Sequence, residues 1–246
     1  MFQPLPDKSM TDAENGNAAA EVLEPPNRKI QSIEVAVFLS LILPSMVLSF
    51  LTAKETDLRF LEVAIGSILN DLALLSLVLY FMWRNQERIE QIGWNFDHLR
   101  RDIAWGLILF VPVVLGGNLL QNVLHQAGFS APSRMPSFLV MSGAFKVILG
   151  FIIVTVVAVV EETIFRGYLM LRLTAVTGRT SAAVLLSSLV FSLGHGYEGM
   201  AGALSIFVLG VVFAVIYLWR KSLVAPIVIH FFTDFTSIVL PALLSR

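Results

Sequence analysis

Residues 160–168 read Val160-Glu161-Glu162-Thr163-Ile164-Phe165-Arg166-Gly167-Tyr168, at the end of an apolar run that begins near Phe138. An ionised carboxylate in hydrocarbon is costly, less so where it reaches water, and here two stand side by side. Either the pair caps a helix at a membrane–water boundary, or it is a site. On a helix, neighbouring side chains diverge by about 100°. Glu162 and Arg166 are i,i+4 with the acid first, the favoured order for an ion pair. Glu161 is then left without a local cation, and its partners must come from elsewhere in the chain.

The composition puts this stretch in a membrane. The chain has 246 residues, 56% hydrophobic and 14% charged, with a mean hydropathy of +0.77, whereas a soluble domain carries about 25% charged residues. The expected fold is all-α, a polytopic membrane helix bundle. With a net charge of −1 there is no electrostatic case for nucleic acid. The absence of cysteine excludes disulfides, thiolate zinc sites, thiol nucleophiles and lipid on a Cys.

Seven stretches are long enough to cross roughly 30 Å of hydrocarbon at ~1.5 Å per residue: 35–53, 62–83, 103–125, 138–162, 181–197, 201–219 and 222–244. An eighth span or a re-entrant segment would alter only the later part of this order. The fourth is expected to run on as one helix through the Glu pair to about residue 172. Residues 1–30 are polar and read as a disordered cytoplasmic tail. Residues 31–137 form the N-terminal spans, with 84–101 as an interfacial amphipathic segment anchored by Trp83 and Trp94. Residues 138–246 form the candidate catalytic core. Pro112, Gly116 and Gly117 suggest a kink or close packing in the third span, and Gly143 and Gly150 suggest close helix approach in the fourth.

Basic residues set the expected orientation. With seven spans, one side receives 12 Lys and Arg, among them Arg166, Arg172 and Arg220; the other receives 4, namely Lys54, Arg59, Arg134 and Arg246. The positive-inside rule then puts the N-terminus of a multi-pass plasma- or inner-membrane protein in the cytoplasm.

Candidate partners for Glu161 lie in the late spans. His195 follows Phe191-Ser192-Leu193-Gly194, and His230 and Asp234 are i,i+4 on one helix face. His98 and His125 fall in or near loops and read as solvated. The fourth, fifth and seventh stretches each carry an ionisable group, and such groups face a bundle interior or a watery cavity. Three helices turned inward would bring Glu161, His195, His230 and Asp234 together. With no serine elbow, activation of water is the simplest chemistry for this set. A carboxylate can act as general base, a histidine can share the proton, and a second His with Asp can steady an oxyanion or bind a metal. Glu161, His195 and His230 are also an acceptable zinc ligand set, so a metal-held water and a Glu/His-held water both remain open. No His-Glu-x-x-His is present.

Glu161-Glu162-x-x-x-Arg166, then Phe191-x-x-x-His195, then His230-x-x-x-Asp234, in that order on late membrane helices, resembles the CPBP family of CAAX prenyl proteases and bacterial bacteriocin-processing (Abi) proteins. The resemblance covers residues 138–244. It implies an intramembrane endopeptidase acting on a peptide or membrane-protein substrate in the lipid bilayer. Glu161 and His195 would activate water, and His230 and Asp234 would stabilise the oxyanion, with no required cofactor or with Zn2+. The third motif of the family ends in Asn or Asp; Asp234 leans toward the bacterial branch. Two other readings are a proton-coupled transporter, since Asp, Glu and His also relay protons, and a non-catalytic immunity or scaffold protein. Neither the substrate nor the oligomeric state can be read from the sequence.

Overall fold

The computed structural model describes residues 27–52, 60–130 and 143–244. Among these, every regular element is helical. α1 spans Arg28–Thr52, α2 Phe60–Arg84 and α3 Leu99–Gln126, with a short 3-10 turn at Ile89–Ile92 between α2 and α3. α4, Ala144–Glu162, continues through a π segment, Thr163–Leu169, into α5, Met170–Thr177. Then come α6 (Thr180–Leu193), a 3-10 turn (Gly196–Glu198), α7 (Gly199–Arg220) and α8 (Val224–Asp234). A second π segment, Phe235–Val239, leads into α9, Leu240–Leu244.

Five helical stretches among the described residues are long and apolar enough to cross a membrane: Phe60–Arg84, Leu99–Gln126, Ala144–Thr177, Gly196–Arg220 and Val224–Leu244. They make the chain an integral membrane protein. The expected count of seven spans is not reached. α1 is outside this set, and α6, with 14 residues, covers only about 21 Å at 1.5 Å per residue. Large apolar side chains such as Leu69, Leu115, Leu119 and Phe145 point outward, as suits a surface that meets lipid rather than water. The fourth stretch is one continuous helix through the Glu pair, as expected. Residues 1–26 of the expected tail lie outside the described residues, as do Lys54, Arg59, Arg134, Arg246 and the opening of the fourth stretch at 138–142. α1 already begins at Arg28, so the tail cannot extend to residue 30.

The bundle holds charges that the sequence placed in loops. Glu34 of α1 is 1% exposed. Its Oε1 accepts hydrogen bonds from Arg84 Nη2 at 2.9 Å and Asn85 Nδ2 at 2.7 Å. Its Oε2 accepts from Arg172 Nε at 2.9 Å and the Tyr168 hydroxyl at 3.2 Å. Arg172 also grips both carboxylate oxygens of Glu87, one of them at 2.7 Å. This network ties α1, the end of α2 and α5 together. Arg166 and Arg172 are therefore buried helix residues, not loop charges. The 12-to-4 division of basic residues holds for seven spans, and Arg166 and Arg172, being buried, drop out of it. Arg220 closes a further pair, with its Nε donating to Asp102 Oδ1 at 2.8 Å.

Most side chains of the 84–101 segment are exposed, and its 3-10 turn at Ile89–Ile92 is anchored from within. It packs into the bundle, with Ile92 fully buried and the Gly93 carbonyl accepting from Leu223 N at 2.9 Å. Close packing in α3 occurs at Gly106, where a Cβ would lie 2.6 Å from Val228 Cβ; Gly116 and Gly117 have open space around them. Gly143 likewise meets nothing within 4 Å, while Gly150 is buried.

Candidate active site

The local sequence explains how the acids are aimed. π turns are rare and occur mostly as short bulges in α-helices, frequently at functional sites. One begins directly after Glu162 and the other directly after Asp234. Hydroxyl side chains satisfy backbone carbonyls around them. Thr163 Oγ1 donates to Val159 O at 2.6 Å, and Ser187 Oγ, from α6, donates to Phe165 O at 2.7 Å. Thr233 of α8 and Thr236 of the second π segment donate to Ile229 O and Phe232 O, each at 2.8 Å. Gly167 is required where the first π segment meets the 89–92 turn, because a Cβ there would sit 2.7 Å from Ile92 O.

Five of the six candidate residues form one connected group. Arg166 Nη1 donates to Glu162 Oε1 at 2.7 Å, as the i,i+4 spacing predicts. The guanidinium lies between the Phe191 and Phe213 rings, 4.1 Å and 5.1 Å from their centroids, a cation–π arrangement. The same Glu162 oxygen accepts from His230 Nδ1–H at 2.8 Å. Glu162 and Arg166 are thus fully enclosed and act on each other and on His230. The far nitrogen of His230, Nε2, is 3.4 Å from Asp234 Oδ2 and 3.8 Å from Glu161 Oε2. Glu161 Oε2 has no hydrogen-bond partner, which leaves a carboxylate oxygen uncommitted beside the imidazole.

His195, the sixth candidate, stands apart from this group. It is not on a membrane helix: α6 stops at Leu193, and His195 occupies the turn before Gly196–Glu198. Its Nδ1 is 3.1 Å from the Phe191 carbonyl. A carbonyl can only accept, so Nδ1 carries the proton and Nε2 of the neutral ring is the basic nitrogen. A cavity of ≈ 940 Å³ reaches Glu161, His195, His230 and Asp234 alike. His98 and His125 are exposed, as expected.

Among the described residues, no three His, Asp or Glu side chains are drawn together as a metal site. With both Nδ1 atoms engaged, His195 and His230 keep Nε2 as the nitrogen that could ligate a metal.

Sequence reasoning missed Asp71. It sits mid-way along α2, is 8% exposed and lines the same cavity. The signal was present, since an acid inside an apolar span is by default a functional candidate. Asn118 and Gln121 of α3 and Glu198 of the second 3-10 turn also line the cavity. A polar residue that lines a cavity from a lone helix position carries no motif by which to find it.

Residues 142–236 match a family model described as type II CAAX prenyl endopeptidase Rce1-like. This is a protease family, and the matched segment contains all six candidate residues. No curated protein and no solved structure matches the chain.

Proposed function

We propose that this chain is an intramembrane endopeptidase that hydrolyses a peptide bond with water activated by Glu161 and His195. The observation that carries this reading is the shared cavity. Glu161 from α4, His195 from the α6–α7 connection, and His230 and Asp234 from α8 all open onto it, within the segment that matches the protease family. The Glu161 carboxylate takes a proton from water, with His195 Nε2 as the second acceptor. The hydroxide adds to the scissile carbonyl, and the oxyanion so formed needs donors. His230 supplies one from Nε2–H when its ring is protonated, with Glu162 on one nitrogen and Asp234 near the other. Asp234 has no N–H to offer, so as a carboxylate it serves by holding His230. The proton gained from water then passes to the leaving amine.

The basic-residue bias supports a cytoplasmic N-terminus, and α1 and α6 complete the bundle around the five long helices. The substrate is a peptide or a membrane protein that reaches the cavity within the bilayer. Purified Glu161→Ala, assayed against peptides that the parent protein cuts, should show no cleavage above background; undiminished cleavage would sink the proposal. Chelator treatment of the parent protein, with zinc add-back, separates a metal-held water from a Glu/His-held one.

A further inference from the structure

The cavity that holds the candidate catalytic set also carries an acid which that set does not use. Asp71 is more than nine-tenths buried, and its Oδ2 makes no hydrogen bond. Asn70 beside it lines the same cavity. His230, which also lines the cavity, is bonded to Glu162 and lies 3.4 Å from Asp234. Glu198 adds a further carboxylate to the wall, and among the described residues lining the cavity there is no Lys or Arg. Much of the remaining wall is apolar, including Phe38, Met46, Phe60, Ile153 and Leu209.

We infer that the cavity selects an apolar substrate segment bearing a basic side chain, Lys or Arg, whose cation is met by Asp71. The inference rests on the peptidase reading and adds the chemical class of its substrate. A buried acid with an oxygen that makes no hydrogen bond is stabilised by a cationic hydrogen-bond donor. A substrate acid or free C-terminal carboxylate placed there would meet Asp71, Glu198 and Asp234 and no Lys or Arg among the described lining residues. The apolar wall accommodates the residues around the cation, and the long stem of Lys or Arg lets its head reach Asp71 while the chain stays in the apolar part.

The test uses Glu161→Gln protein in lipid nanodiscs, which keeps Asp71, Glu198 and Asp234. The probes are N-acetylated, C-amidated Leu/Ala decapeptides that differ only at a central Lys, norleucine or Glu, with an Arg/citrulline pair as a second comparison. Affinity is read by calorimetry or thermal stabilisation. The Lys peptide should bind about tenfold or more tightly than norleucine, with Glu the weakest, and Asp71→Asn should bring Lys and norleucine to within about twofold. Asp71→Glu should keep the preference. Equal binding of the three peptides, or tightest binding of Glu, would overturn the inference. Should Asp71→Asn not accumulate, the ranking on the parent still decides the charge selectivity. Glu198→Gln, which must leave that ranking intact, then decides whether Asp71 carries it. Cleavage of Glu and Lys peptides at equal rates by the active protein would remove the inference and leave the peptidase standing. Charge-selective binding with no peptide cleaved would remove the peptidase and leave the cation site.

Discussion

The Glu162–Arg166 pair offers a test that separates what holds the site together from what it does. Both side chains are enclosed, at 0% and 2% exposure, with the guanidinium 2.7 Å from the carboxylate and lying between two phenyl rings. Glu162→Leu leaves the arginine charge between Phe191 and Phe213 with its hydrogen-bonded counter-ion gone. Breaking one side of a buried pair costs about 3–5 kcal/mol. At roughly 2–4 °C per kcal/mol for a chain of 150–250 residues, that is a fall in Tm of about 6–20 °C. Arg166→Leu strands the opposite charge, though His230 Nδ1, 2.8 Å from the same oxygen, remains to hydrogen-bond it; its loss should lie at the lower end of that range. The double variant buries no uncompensated charge, and apolar replacements of whole ion pairs are often neutral or stabilising. It should recover most of the Tm. Cleavage should not return, because His230 has lost the acceptor that orients it. The assay is thermal unfolding of the four proteins in one nanodisc composition, run beside peptide cleavage. A double variant no more stable than the worse single would refute the reasoning, as would a double variant with parental activity.

Other outcomes are expected from the same geometry. Glu161→Gln should abolish cleavage, a loss of at least about 100-fold, while Tm holds or rises, since Glu161 Oε2 has no hydrogen bond to lose; a large fall in Tm would mean the residue is structural. Arg172→Leu severs contacts to Glu34 and Glu87 at once and should cost about 3–5 kcal/mol, with limited proteolysis opening the α5–α6 connection. Gly106→Ala should destabilise by about 1–3 kcal/mol, because its Cβ would fall 2.6 Å from Val228 Cβ, whereas Gly116→Ala, with nothing within 4 Å, should hold or raise Tm. A reversed order in thermal unfolding would show α3 packing through its other face.

The hydropathy of the chain and the period of its ionisable residues were enough to identify an all-helical membrane protein. They also picked out six candidate residues that fall into one region, because both signals are local. Apolar runs report burial in hydrocarbon wherever they occur, and i,i+4 pairs such as Glu162–Arg166 and His230–Asp234 meet on any helix of ordinary pitch. The helix that carries the Glu pair was legible for the same reason. The length of α6, the placement of His195 in a turn and the two π segments were not legible. Each depends on where a helix is stopped or under-wound by its neighbours, as where Ser187 of α6 bonds the Phe165 carbonyl. Asp71 and Glu34 were legible only as acids, not as members of a cavity wall and an ionic clamp. Their partners are far along the chain, 138 residues on for the Glu34–Arg172 pair, and nothing in a sequence window encodes that approach. A chain fixes which segments leave water and which residues share a helix face. Which faces then meet is decided by the packing of the whole bundle, and that packing alone put the carboxylates of α2 and α4 around one cavity.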